Sequence, residues 1–161
     1  MSQTKFVDYR DHGFWAYDVA LNIFLKHLID AAETRLAAAN EAWLAEAVSW
    51  WRVVAGVGDY GLEIDGAWSE SQLDAFVGLA DQACQVLALR DRIPADEIAA
   101  WPILDDLHIF PRGATEVRTG PVIELGRAII AIVRGTLPTA PAGTLWLYGT
   151  PEGRETIRMR Q

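Results

Sequence analysis

The chain has 161 residues, of which 51% are hydrophobic and 22% charged, and carries a formal net charge of −8. That length suits one core, so residues 1–161 are expected to fold as a single domain without disulfide or metal staples. The acidity repels phosphate backbones, which disfavours nucleic acid and favours a basic protein as partner.

The first residues, Met1 to Lys5, lack the charged-then-apolar layout of a signal peptide. Lys26, Arg52 and Arg134 interrupt the apolar runs well before the roughly 20 residues of a bilayer span. A cytoplasmic protein without a membrane segment is expected. After this short polar lead, residues 14–39 read as a helix. Phe14, Tyr17, Leu21, Phe24, Leu25, Leu28 and Ala32 recur at helical spacing, and Ala16, Ala20 and Ile23 widen the apolar face. Such a helix belongs near the centre of the fold. Asp18, Asn22 and Lys26 form a narrow polar stripe along it, read as a wet face rather than a pocket lining.

Asn40 is placed to cap a second helix running through Ala55. Trp43, Ala47, Trp50 and Val54 share one of its faces, and Leu44, Val48, Trp51 and Ala55 lie about 100° around. Residues 56–68 read as a loop with a short extended piece at Leu62-Glu63-Ile64. Gly56, Gly58 and Gly61 match the spacing of a dinucleotide-binding turn, which requires a strand before it and a helix after it. Here a helix precedes and none follows, so the glycines read as a helix stop through a left-handed residue. Ser69 to Gln72 has the form of a capping box for a third helix to about Leu89. Leu73, Phe76, Val77, Ala80, Cys84 and Leu87 make its inner face. Cys84 is the single cysteine, expected to be a buried thiol.

Pro94 opens a short helix and Pro102 ends it. Residues 107–111 read as extended, followed by a polar loop through Gly120. Residues 121–134 are favoured as a helix, although Ile129 to Val133 would also suit a buried strand. Finally, 144–148 and 154–159 flank a Pro-Glu-Gly turn and read as a β-hairpin. One face would carry Leu145, Leu147, Ile157 and Met159; the other Trp146, Tyr148, Arg154, Arg158 and Arg160. The expected fold is therefore mainly α (α+β): a compact bundle of four to five helices with a C-terminal hairpin.

Catalytic and metal signatures are weak. Asp105, Asp106 and His108 stand close together, as do Asp8, Asp11 and His12, but neither group has the two-histidine helical spacing of a metal site. No Gly-x-Ser-x-Gly turn occurs, and His27, beside Leu28 on an apolar helix, reads as a hydrogen-bonded packing residue. No cofactor and no catalytic residue are assigned. Acidic loops and abundant tryptophan point instead to a non-enzymatic protein-binding domain, with Asp59, Glu63, Asp65, Glu70, Asp105, Asp106, Trp146 and Tyr148 as the partner-binding residues. In size and charge the chain resembles small acidic bacterial immunity and inhibitor proteins. The likeness implies a basic toxin or enzyme domain as the partner. The alternative reading is a small-molecule enzyme or ligand-binding domain with a pocket between helices, drawing on Trp50, Trp51, Asp18 and His27. A homo-oligomer built through the hairpin is a third.

Overall fold

The computed structural model describes residues 4–10, 12–137, 146–150 and 153–154, the last two segments by their backbone. In chain order it shows β1 (Thr4–Tyr9), β2 (His12–Tyr17), α1 (Asp18–Ala38), α2 (Ala42–Gly56), β3 (Leu62–Ile64) and α3 (Glu70–Leu87). These are followed by β4 (Arg92–Pro94), α4 (Ala95–Ala100), β5 (Glu116–Arg118), α5 (Thr119–Arg134), β6 (Trp146–Thr150) and β7 (Gly153–Arg154). The architecture is mixed α/β, with five helices among the described residues and two small sheets.

The first departure from expectation lies at the N-terminus. Residues 4–17 form an antiparallel hairpin, pairing Thr4 with Tyr17 through Tyr9 with His12. Phe14 to Tyr17, expected in the first helix, belong to β2. Phe14 and Tyr17 are three apart, which mimics a helical period, yet burial alternates along both strands. Val7, Tyr9, Phe14 and Ala16 are buried, while Phe6 and Trp15 meet on the opposite face with ring centroids 5.2 Å apart. The turn between the strands takes two residues, and Arg10 holds the positive φ of 53° that such turns require.

β3 runs parallel to β1, with Val7 opposite Leu62 and Tyr9 opposite Ile64, so the sheet order is β3-β1-β2-β6-β7. A Cβ on Gly61 would lie 2.4 Å from the Phe6 carbonyl oxygen. The obstacle is backbone, so it cannot swing aside as a side chain would. Gly61→Ala is expected to cost about 1–3 kcal/mol, read as a lowered urea-unfolding midpoint; an unchanged midpoint would mean that β1 and β3 do not approach so closely.

α1 is buried along most of its first fifteen residues and packed by α2, α3 and α5, while its last turns are exposed or only partly buried. Its central position agrees with the sequence reading. α2 starts from Glu41 rather than the expected Asn40. No side chain caps its first amides, and the Glu41 carboxylate is held instead by Arg35 through bonds of 2.6 and 2.9 Å. It ends without a left-handed glycine, because Gly56 is its last residue and Val57 is already extended. With α2 before the glycines and β3 after them, the dinucleotide geometry is absent. The capping box of α3 forms as expected: the Gln72 amide donates to Ser69 Oγ at 3.1 Å, and the Ser69 amide donates to Gln72 Oε1 at 2.8 Å. Cys84 is buried on this helix, and burial pushes its thiol pKa up.

Pro94 caps α4, and Trp101 closes it. The expected extended run at 107–111 is not a strand; only an isolated bridge links Leu104 and Leu107. The polar loop is cut short by β5, which pairs with β4 to form the second sheet. Residues 119–134 are helix, not buried strand. Val122, Leu125, Ile129 and Ile132 face the core at spacings of three and four, and Gly135 ends the helix at φ 71°. The predicted C-terminal hairpin falls mostly outside the described residues. The backbone of β6 joins β2, Phe14 opposite Tyr148, and two residue pairs link β6 to β7. The assignment of Trp146, Tyr148 and the arginines to one face lies outside the described side chains.

Candidate functional site

Alternation and helical period bring one group of side chains together. Within β3, Leu62 and Ile64 are buried and Glu63 between them points outward. Asp65 follows, and its Oδ1 accepts from the Ala67 amide at 2.8 Å, a tight turn that delivers Trp68 to the start of α3. On α2, Trp43, Glu46 and Trp50 occupy neighbouring positions open to solvent, with the buried Ala47 and Trp51 beside them. These elements enclose a groove of about 400 Å³ lined by Trp43, Trp50, Trp51, Trp68, Glu46, Glu63 and Asp65.

The walls are tied to the core. Trp43 and Trp68 meet edge-to-face at 5.2 Å, Trp68 lies 5.5 Å from Phe76, and Trp51 lies 5.8 Å from the same ring. Trp51 is buried, whereas Trp50 is 38% exposed with its edge against Tyr60. Four of the chain's seven tryptophans thus border one groove.

Among the described residues no ion pair compensates the carboxylates there. Eight ion pairs are found among the described residues: Lys26–Asp30, Arg35–Glu41, Arg52–Glu33, Arg90–Glu97, Arg92–Glu116, Arg112–Asp18, Arg127–Asp81 and Arg134–Asp74. None uses Glu46, Glu63 or Asp65. Arg10, which reaches the Gly66 carbonyl at 3.4 Å, is placed over the Tyr9 ring. A negative net charge therefore becomes a local field at a groove with aromatic walls, an arrangement that attracts cations.

Of the expected partner-binding residues, Glu63 and Asp65 line this groove. Glu70 is exposed at the first position of α3, and Asp59 is exposed in the turn before β3. Asp105, at φ 49°, and Asp106 lie elsewhere, on the loop whose Leu104 and Leu107 pack beside Gly56 at the far end of α2. The side chains of Trp146 and Tyr148 lie outside the described residues. Trp43, Glu46 and Trp68 were missed. Trp43, Glu46 and Trp50 stand at i, i+3 and i+7 on α2, a signal present in the sequence, but nothing local ties Trp68 to them.

The residues of the alternative reading do not converge. Trp50 and Trp51 border the groove, but Asp18 opens α1 and is held by Arg112. His27 sits nine residues along α1, about 13 Å further. Its Nδ1 contacts the Ile23 carbonyl at 2.8 Å and its ring meets Trp101 edge-on, while burial lowers its pKa. That is the packing role expected from the sequence. The polar stripe needs correction. Asp18 and Asn22 are buried: Arg112 holds Asp18, and Lys5 of β1 reaches over to donate to Asn22 Oδ1 at 3.1 Å, to the Val57 carbonyl at 3.1 Å and to the Val54 carbonyl. Three ammonium protons meet three acceptors, two of them carbonyls at the C-terminal end of α2, where a cation also suits the helix dipole.

No family model, curated protein or solved structure matches this chain. Among the described residues, no helix is long and apolar enough to cross a membrane, and no three His, Cys, Asp or Glu side chains come together as metal ligands would.

Proposed function

We propose that this protein is a non-enzymatic binding domain that recognises a basic protein, with the tryptophan-lined acidic groove at the centre of the contact. The observation that carries the reading is a set of three carboxylates, Glu46, Glu63 and Asp65, without an ion-pair partner among the described residues, in a groove lined by four tryptophans. Tryptophan walls supply rigid contact area, and unsatisfied negative charge selects and steers a positive partner. Asp59 and Glu70, exposed on neighbouring turns, extend that field. An immunity- or inhibitor-type role follows from the same chemistry: the acidic face would cover a basic toxin or enzyme domain. Asp105, Asp106, Trp146 and Tyr148 belong to this proposal as a wider contact surface.

The test is capture from native lysate with wild type and with Glu63→Lys/Asp65→Lys, followed by native mass spectrometry at low and high salt. The expected result is a stoichiometric basic protein that the charge-reversed variant loses by at least about tenfold, with an association rate that falls as salt rises. A partner held equally by both chains, or a salt-independent rate, would overturn the reading.

A second groove, about 390 Å³ and mainly apolar, lies between the starts of α1 and α5, bordered by Tyr17, Val19, Val117 and Pro121 with Asp18, Glu116, Arg112 and Arg118. It supports the small-molecule reading. Specific thermal stabilisation by one class of organic ligand would promote that reading.

A further inference from the structure

We infer that the tryptophan groove is an arginine seat, taking a guanidinium group from the basic partner; this rests on the groove being the partner-binding site. Three kinds of cation fit a negative aromatic groove, and its lining distinguishes between them. A quaternary ammonium group gains from indole faces but carries no N–H. Docked here, it would strip water from Glu63 and Asp65 and return no donor, which is costly for an ionised acceptor. A lysine ammonium has donors, yet it is a compact, strongly hydrated charge that gives up its water reluctantly against a ring. A guanidinium is planar and weakly hydrated: its faces stack on indole while its edge donates in parallel to carboxylate oxygens.

The carboxylates arrive from separate elements, Glu46 from α2, Glu63 from β3 and Asp65 from the turn before α3. A planar group with five donors can address more than one of them at once. The seat is also organised in advance. Trp43 on Trp68, Trp68 on Phe76 and the Asp65–Ala67 turn hold its walls without a ligand, which reduces the ordering cost on binding. Trp50, half open and edge-on to Tyr60, is the wall that a bound side chain would cover.

Titration of the intrinsic tryptophan fluorescence with blocked Gly-Arg-Gly, and with its lysine, trimethyllysine and citrulline counterparts, tests this directly. The arginine peptide should saturate with a dissociation constant on the order of millimolar. Lysine and trimethyllysine peptides should bind about tenfold more weakly, and neutral citrulline should not bind, because only the guanidinium couples charge to a planar donor edge. Glu63→Gln/Asp65→Asn, which retains the acceptor for the Ala67 amide, should weaken the arginine peptide about tenfold. Asp91→Asn, beyond the opposite end of α3, should leave it unchanged. An equal or tighter trimethyllysine complex, binding of citrulline, or no saturation by arginine would each overturn the inference. If the arginine peptide fails while charge reversal still abolishes capture of a basic partner, the arginine seat alone falls. If the peptide behaves as expected but no basic protein is captured, the protein-binding reading falls instead.

Discussion

Trp51→Ala is expected to lower the unfolding free energy by about 3–5 kcal/mol, the usual range for removing a large aromatic from a packed interior. Trp51 is 2% exposed, and its ring closes the space between α2 and Phe76 of α3. Deleting it opens a cavity at the point where the groove floor meets the core. Trp50→Ala provides the contrast. That ring is adjacent in sequence but partly in solvent, so its loss should cost within about 1 kcal/mol, mainly the edge contact with Tyr60. Urea unfolding followed by far-ultraviolet circular dichroism measures both variants without relying on tryptophan emission. Similar losses for the two would show that Trp50 and Trp51 do not divide between surface and core.

Lys5 is expected to make stability rise with pH over an alkaline window. Burial is the main cause that lowers its pKa from 10.5 to about 8; the Asp18 and Asp59 charges oppose the shift and Arg112 adds to it. Below pH 8 both folded and unfolded chains hold the proton, so the folded state bears the full cost of a buried charge. Between pH 8 and 10.5 the unfolded chain holds more protons at this site, and stability therefore increases with pH. Above 10.5 both are neutral and the cost is gone, a gain on the order of 3 kcal/mol for a pKa displaced that far by folding. The measurement is the difference in unfolding free energy between wild type and Lys5→Met at pH 7, 8, 9 and 10. At pH 7 the variant should be destabilised by about 1–3 kcal/mol, since Asn22 and the end of α2 lose their donor. The gap should then widen in favour of wild type as pH rises. A gap independent of pH would mean that Lys5 keeps its proton equally well in both states.

These two residues mark the limits of reading the chain alone. That Trp50 and Trp51 point different ways follows from the 100° step of a helix. Which of them is buried depends on α3 arriving on one side, and that is a matter of packing. For Lys5 the sequence offers no warning. A lysine in a polar lead looks solvated, and only the pairing of β1 with β2 and β3 carries it onto the last carbonyls of α2. The same contact covers Asn22, and Arg112 covers Asp18; helical periodicity assigns both to a wet stripe. Periodicity reports the face on which a residue lies, not what covers that face.

Where local physics was sufficient, the chain was legible. Continuous helical spacing marked α1 as central, Ser69 and Gln72 set the start of α3, and proline bounded α4. The N-terminal hairpin was misread because its aromatic residues fall at spacings that also suit a helix, and β4 and β5 are too short to show a period. Of the groove, the acidic residues Glu63 and Asp65 were foreseen from charge and loop position. Their meeting with Trp43, Glu46 and Trp68 was not, because it joins residues from α2, β3 and the approach to α3. By itself the sequence determined an acidic surplus, an abundance of tryptophan and most of the helices. Only the tertiary structure decided which carboxylates arginines neutralise and which remain open beside indole rings, since ion pairing depends on distances between segments far apart along the chain.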